Sequence, residues 1–183
     1  MVTEVRTTPE WVELAHDQSK SMGKLPNSIT DGEGNTAGFL GEIVVADMLG
    51  ADQTNTYDFD LSLPWGATVD VKTKRTGYAP KPHYECSVAA LNTKQDCDYY
   101  VFTRCKNDVS TVWVLGHYPK DEYFKDATFH KKGDYDTDND FTFTSDCYNL
   151  PLGQLKPTSE LFWNFDFAPC KGSQSASVES PRK

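Results

Sequence analysis

The chain has 183 residues, of which 38% are hydrophobic, 13% aromatic and 25% charged, the size and apolar content of one folded domain that needs no disulfide to hold its core. That balance excludes the disordered class, and no apolar run approaches the roughly 20 residues that span a bilayer. Eighteen basic residues against 27 acidic ones give a formal charge of −9, which argues against binding nucleic acid through an overall basic surface.

The opening residues MVTEVRTTPEW lack the apolar stretch of a signal peptide, so a cytoplasmic location is expected. Thr8-Pro9-Glu10 predicts a helix start, with Thr8 as N-cap, Pro9 at the first helical position and Trp11, Val12, Leu14 and Ala15 in an apolar stripe that fades near Gly23. Residues 26–34 read as a loop. Ala37, Leu40, Gly41, Val44, Val45, Met48 and Leu49 recur at helical spacing and stop at Gly50, which predicts a second helix over residues 35–49.

From Thr56 the period becomes two. Tyr57, Phe59 and Leu61 alternate with Asp58, Asp60 and Ser62, and Pro64-Trp65-Gly66 turns the chain into residues 67–74, so a β-hairpin is expected. A basic loop follows over 75–82, then a third strand over 83–88 and a short helix or crossing turn over 89–95. Residues 99–104 and 111–116 read as buried strands, and residues 119–124 as a helix start. Further on come an acidic stretch over 134–140, a β-like Phe141-Thr142-Phe143 and an aromatic segment over 150–167 expected to dock on the core. The Ser-rich end has almost no apolar content, so the expected division is one domain over residues 1–169 and a disordered tail over 170–183.

Several features are given structural readings. Cys86, Cys97, Cys105, Cys147 and Cys170 form no C-x-x-C pair, and an odd number argues for reduced, buried thiols rather than zinc or disulfides. Asp134, Asp136, Asp138 and Asp140 alternate like the start of an EF-hand loop, but Asn139 and Ser145 stand where its glycine and glutamate belong, so an acidic surface turn is favoured. His16, His83, His117 and His130 lack ligand spacing. Trp65, Tyr78 and Tyr84 lie near the basic loop, where base stacking competes with the commoner core role of aromatics.

The chemistry concentrates at Val69-Asp70-Val71-Lys72, where strand alternation puts Asp70 and Lys72 on one face. A hairpin centred on Trp65 pairs Asp60 across from Asp70 and Asp58 across from Lys72. Like charges facing each other across strands destabilise a sheet, so such a cluster calls for a counter-charge, which a divalent cation supplies; a solvated polar face is the alternative. Glu42, on the flank of the second helix's apolar stripe, can lean over the sheet edge, and Gly38 and Gly41 let that helix approach the strands closely. Lys72, Lys74, Arg75 and Lys81 fall within ten positions free of acids, a local patch that offsets the acidic total.

A helix bearing Glu42, a strand bearing Asp60 and a return strand bearing Asp70-x-Lys72 together resemble the PD-(D/E)XK nuclease superfamily over about residues 35–116, and the whole chain is similar to its small phage-encoded members. The resemblance implies an α/β fold with a restriction-endonuclease-like core, a mixed central β-sheet flanked by helices. It implies Glu42, Asp60, Asp70 and Lys72 as catalytic residues, and Mg²⁺ or Mn²⁺ held among Glu42, Asp58, Asp60 and Asp70. The first-strand ligand stays open between Asp60 and Asp58, with Asp60 preferred; neither follows a proline, so the literal Pro-Asp is absent. The implied partner is DNA, its flanking phosphates held by Lys74, Arg75 and Lys81, and the implied place of action is the host cytoplasm. Endonuclease or junction resolvase is the expected activity. An exonuclease on the same site, a non-catalytic acidic DNA mimic or inhibitor that keeps the fold, and a homodimer that cuts both strands are carried as alternatives.

Overall fold

A computed structural model describes residues 2–22, 35–137 and 140–162. The chain opens with β1 (Thr3–Arg6) and α1 (Pro9–Met22), whose start is capped as the sequence predicts, Thr8 Oγ1 accepting the Trp11 N–H at 3.3 Å. Then comes α2 (Asn35–Leu49), ended by Gly50 at φ +60°, followed by the short β2 (Asp52–Gln53) and β3 (Leu61–Ser62) and the long β4 (Thr68–Thr76). After β5 (Glu85–Ala89) and a 3₁₀ turn at Ala90–Lys94 come β6 (Tyr99–Lys106), β7 (Thr111–Pro119) and α3 (Lys120–Asp126). The remaining strands are β8 (Thr128–His130), β9 (Tyr135–Asp136), β10 (Phe141–Thr142) and β11 (Cys147–Pro151).

Six strands form one sheet in the order β1-β7-β6-β4-β3-β2, in which β4 and β6 run parallel and the other neighbours antiparallel. The fold is therefore α/β with a mixed sheet. Alternation along its central strands separates two cores. Val69 and Val71 of β4, Val101 and Cys105 of β6, and Val112 and Val114 of β7 pack with α2 and Ala15 of α1 on one face. Tyr100, Phe102, Trp113 and Leu115 point the other way, where Tyr123 of α3 and the strands β5 and β11 cover them.

Gly41 explains how closely α2 rests on the sheet: an added Cβ would strike Thr73 Oγ1 and come within 2.8 Å of Thr103 Oγ1. Those two hydroxyls bond each other at 2.8 Å across β4 and β6. Gly38 would meet nothing within 4 Å, so the close approach expected of both glycines belongs to Gly41 alone.

Two expectations need correction. The strand expected third in the central sheet, β5, instead joins β11 and β8 in a separate antiparallel sheet, because the loop after β4 carries the chain off the sheet before β6 returns beside β4. The first hairpin strand is only Leu61–Ser62. Thr56 mimics a strand residue but closes a local turn, its Oγ1 donating to Phe59 O at 2.8 Å and accepting the Phe59 N–H at 3.1 Å. β1, β8, β9 and β11 carry no expectation from the sequence, being short or framed by polar residues. Cys86, Cys97, Cys105 and Cys147 are free and buried as expected. The loop over 26–34, the part of the aromatic segment beyond Phe162 and the tail over 170–183 lie outside the described residues. No helix among the described residues is long and apolar enough to cross a membrane.

Candidate active site

Because β3 pairs with β4 only through Leu61↔Val69 and Ser62↔Thr68, β4 has no strand neighbour on that side from Asp70 onward. Asp60, one residue before β3, fills the gap: its N–H donates to Val69 O at 3.0 Å and its Oδ2 accepts the Val71 N–H at 2.7 Å. The expected Asp60 to Asp70 juxtaposition is thus present, made by a side chain that replaces a strand. Asp58 is not paired with Lys72. Its Oδ1 lies 3.3 Å from the Asp96 N–H, because the chain has already turned away from β4.

Asp70 and Lys72 share the β4 face turned away from α2, as alternation requires. Lys72 Nζ lies 2.7 Å from Asp70 Oδ2 and 3.0 Å from Gln95 Oε1. Gln95 is held in turn through its Nε2, which donates to Tyr57 O at 2.9 Å, and through its carbonyl, which accepts from Lys120 Nζ. Sequence reasoning missed Gln95, since a lone Gln at the end of a short turn carries no signal.

Glu42 comes from α2 toward the same edge. Its Oε2 is buried and has no hydrogen-bond partner, a state that costs about 1–3 kcal/mol for a neutral group and more for an ionised one. Burial and the Asp70 charge push the Glu42 pKa up to about 7, against a smaller opposing pull from Lys72. Asp60 is also raised, first by burial and then by the charges of Glu42 and Asp70, with the Val71 N–H and Lys72 opposing. Three carboxylates therefore share one largely buried space with a single ammonium. Among the described residues, however, no three or more His, Cys, Asp or Glu side chains stand as a ready metal-holding group. Asp70 is engaged by Lys72 and Asp60 by the backbone, each through one oxygen, and a carboxylate offers about four lone-pair positions.

Lys72 also lines a cavity of about 860 Å³ between β4 and β6 on one side and β5 and β11 on the other. Lys74 lines it as well, two residues along the same face. Arg75 points to the opposite side of β4, where its Nη2 donates to Asn107 O at 3.0 Å, and Lys81 is exposed in the loop before β5. The structure thus gathers Lys72 and Lys74 but not Arg75. It adds Arg104 on β6, read in the sequence only as part of a buried strand.

The groups set aside have structural partners. Trp65 Nε1 donates to Leu161 O at 3.0 Å and its ring packs edge-on against Tyr99. His117 is buried, with Nδ1 3.1 Å from Pro157 O. Asp134 Oδ2 accepts the Lys131 N–H and Asp140 Oδ1 the Tyr135 hydroxyl, so these acids brace the β9–β10 turn. No protein-family model and no curated protein matches the chain.

Proposed function

We propose that this chain is a metal-dependent deoxyribonuclease of the PD-(D/E)XK type that hydrolyses phosphodiester bonds at the open edge of β4, as an endonuclease or junction resolvase. The observation that carries the reading is the buried, unpartnered Oε2 of Glu42 beside Asp60 and Asp70, a crowding of carboxyl groups whose ionisation a single lysine does not support. The element order helix, strand, return strand and parallel neighbour, with Glu42, Asp60, Asp70 and Lys72 in their places, supports a restriction-endonuclease-like core.

The donor chemistry fits the cation: Glu42, Asp60 and Asp70 offer hard carboxylate oxygens, the kind Mg²⁺ and Mn²⁺ take. When bound, the cation would polarise a phosphate oxygen and lower the pKa of water. Lys72 supplies a fixed positive charge, oriented by Gln95, for the charge that grows on the phosphate as the bond breaks. Asp60 both presents a carboxylate and holds onto β4 through the Val71 N–H, so a side chain from the bend before β3 is fixed against the strand backbone.

The formal charge of −9 and the closed Asp70–Lys72 pair favour one second reading, a non-catalytic acidic protein on the same fold. Incubation with linear, circular and four-way-junction DNA separates the two. Cleavage that needs Mg²⁺ or Mn²⁺ and stops with EDTA is expected. A protein inert on every form with every metal overturns the nuclease reading.

A further inference from the structure

We propose that the cavity beside the carboxylate site is a pocket for a single unpaired nucleotide, such as a strand end, held through its phosphate by Lys74 and Arg104. The inference deepens the nuclease reading and rests on it for the identity of the ligand.

Register places Lys74 and Arg104 side by side on the parallel strands β4 and β6, both on the face turned toward β5 and β11. Like charges on adjacent strands repel, and Arg104 is only 7% exposed. Among the described residues neither forms an ion pair; the pairs present are Lys72–Asp70, Lys106–Asp108 and Lys156–Glu122. Arg104 Nη2 donates to a carbonyl, Glu85 O, at 3.1 Å, and its guanidinium lies over the Tyr84 ring, 4.9 Å from the centroid. Glu85, an acid on the same wall, has Oε2 engaged by Asn149 Nδ2 at 2.7 Å. Asp136 is the other acid on the lining. Arg104 is costly to keep under cover beside a second cation, and partial desolvation followed by the Arg104 charge lowers the Lys74 pKa, although Lys74 as a whole stays exposed. A phosphate, which a guanidinium can grip with two parallel hydrogen bonds, answers that charge.

Size and lining point the same way. About 860 Å³ falls in the range of roughly 300–1,000 Å³ that encloses one drug-sized molecule, room for a nucleotide and not for a duplex. Tyr84 and Phe141 supply aromatic faces and Asn92 an amide for a base. The pocket is continuous with the reaction site, because Lys72 belongs to both and stands about 7 Å from Lys74 along the strand. A phosphate at Lys72 would therefore have its neighbour's at Lys74.

Calorimetry with the whole chain in EDTA tests this apart from metal and cleavage, using deoxyadenosine 5′-monophosphate, deoxyadenosine and inorganic phosphate. The monophosphate should bind at least tenfold tighter than the nucleoside, and inorganic phosphate should compete. Lys74→Ala should weaken the monophosphate at least tenfold and leave the nucleoside unchanged; Arg104→Lys, checked for an unchanged melting temperature, should weaken it as well. A monophosphate that binds no tighter than the nucleoside, or equally to the Lys74→Ala protein, overturns the pocket. Binding without cleavage of any DNA leaves the pocket standing and removes the nuclease. Cleavage without binding removes the pocket alone.

Discussion

Replacing Glu42 by Gln removes one of three crowded carboxylates while keeping its shape, and the outcome depends on pH in a direction fixed by the site. Moving the Glu42 pKa from 4.5 to about 7 corresponds to about 3 kcal/mol against the ionised form, at ~1.36 kcal/mol per pH unit. Below pH 4.5 folded and unfolded chains both hold the proton and nothing changes. Between 4.5 and about 7 the unfolded chain releases it first, so the metal-free protein loses stability as pH rises, and above 7 the loss is complete. Glutamine cannot titrate and escapes that loss. Its amide can leave a donor without a partner, an offset of about 1–3 kcal/mol that is the same at every pH. The difference between variant and parent should therefore move by about 2–3 kcal/mol in the variant's favour between pH 5 and pH 8. Urea unfolding in EDTA across that range measures it. Adding Mg²⁺ at pH 8 should then stabilise the parent and not the variant. Parallel stability curves would refute the crowding argument outright.

Asp70→Ala should lose both cleavage and Mg²⁺ affinity by calorimetry, since one of the proposed ligand carboxylates is gone. Lys72→Ala should lose cleavage by on the order of 10²-fold yet keep metal binding or tighten it, because a positive charge leaves the site. Undiminished cleavage by the Lys72 variant would contradict the role given to that side chain. Gly41→Ala should destabilise by about 1–3 kcal/mol in thermal or urea unfolding, because Thr73 and Thr103 must shift to admit the methyl group. Gly38→Ala, with open space around it, should be neutral or stabilising, by up to about 1 kcal/mol.

The parts of the molecule that sequence made legible are those where local pattern and tertiary outcome coincide. α2 follows directly from its apolar spacing and Gly50, and the Asp70-x-Lys72 face follows from alternation on a strand whose other face is apolar. The hairpin register is legible from its turn, which puts Asp60 beside Asp70. Its length is not, because hydroxyl and backbone bonds at Thr56 and Phe59 override an alternation that looks like a strand. Arg104 was invisible as a functional candidate for a different reason: its meaning comes from lying across from Lys74, a parallel pairing between segments thirty positions apart that no local pattern encodes. The sheet that β5 joins is hidden from local pattern on the same grounds, its partner β11 lying more than fifty residues on.

The truncated β3 has a consequence for how the protein behaves among its own copies. A bare stretch of strand edge is a template on which another chain can add a strand, and proteins commonly blunt such edges with charge or cover. Here the Asp60 carboxylate occupies the Val71 N–H that an incoming strand would use, and buried acids stand beside it. Protection of that edge and the proposed site chemistry thus meet in one side chain: loss of the Asp60 carboxylate would both remove a proposed ligand and unmask an adhesive edge.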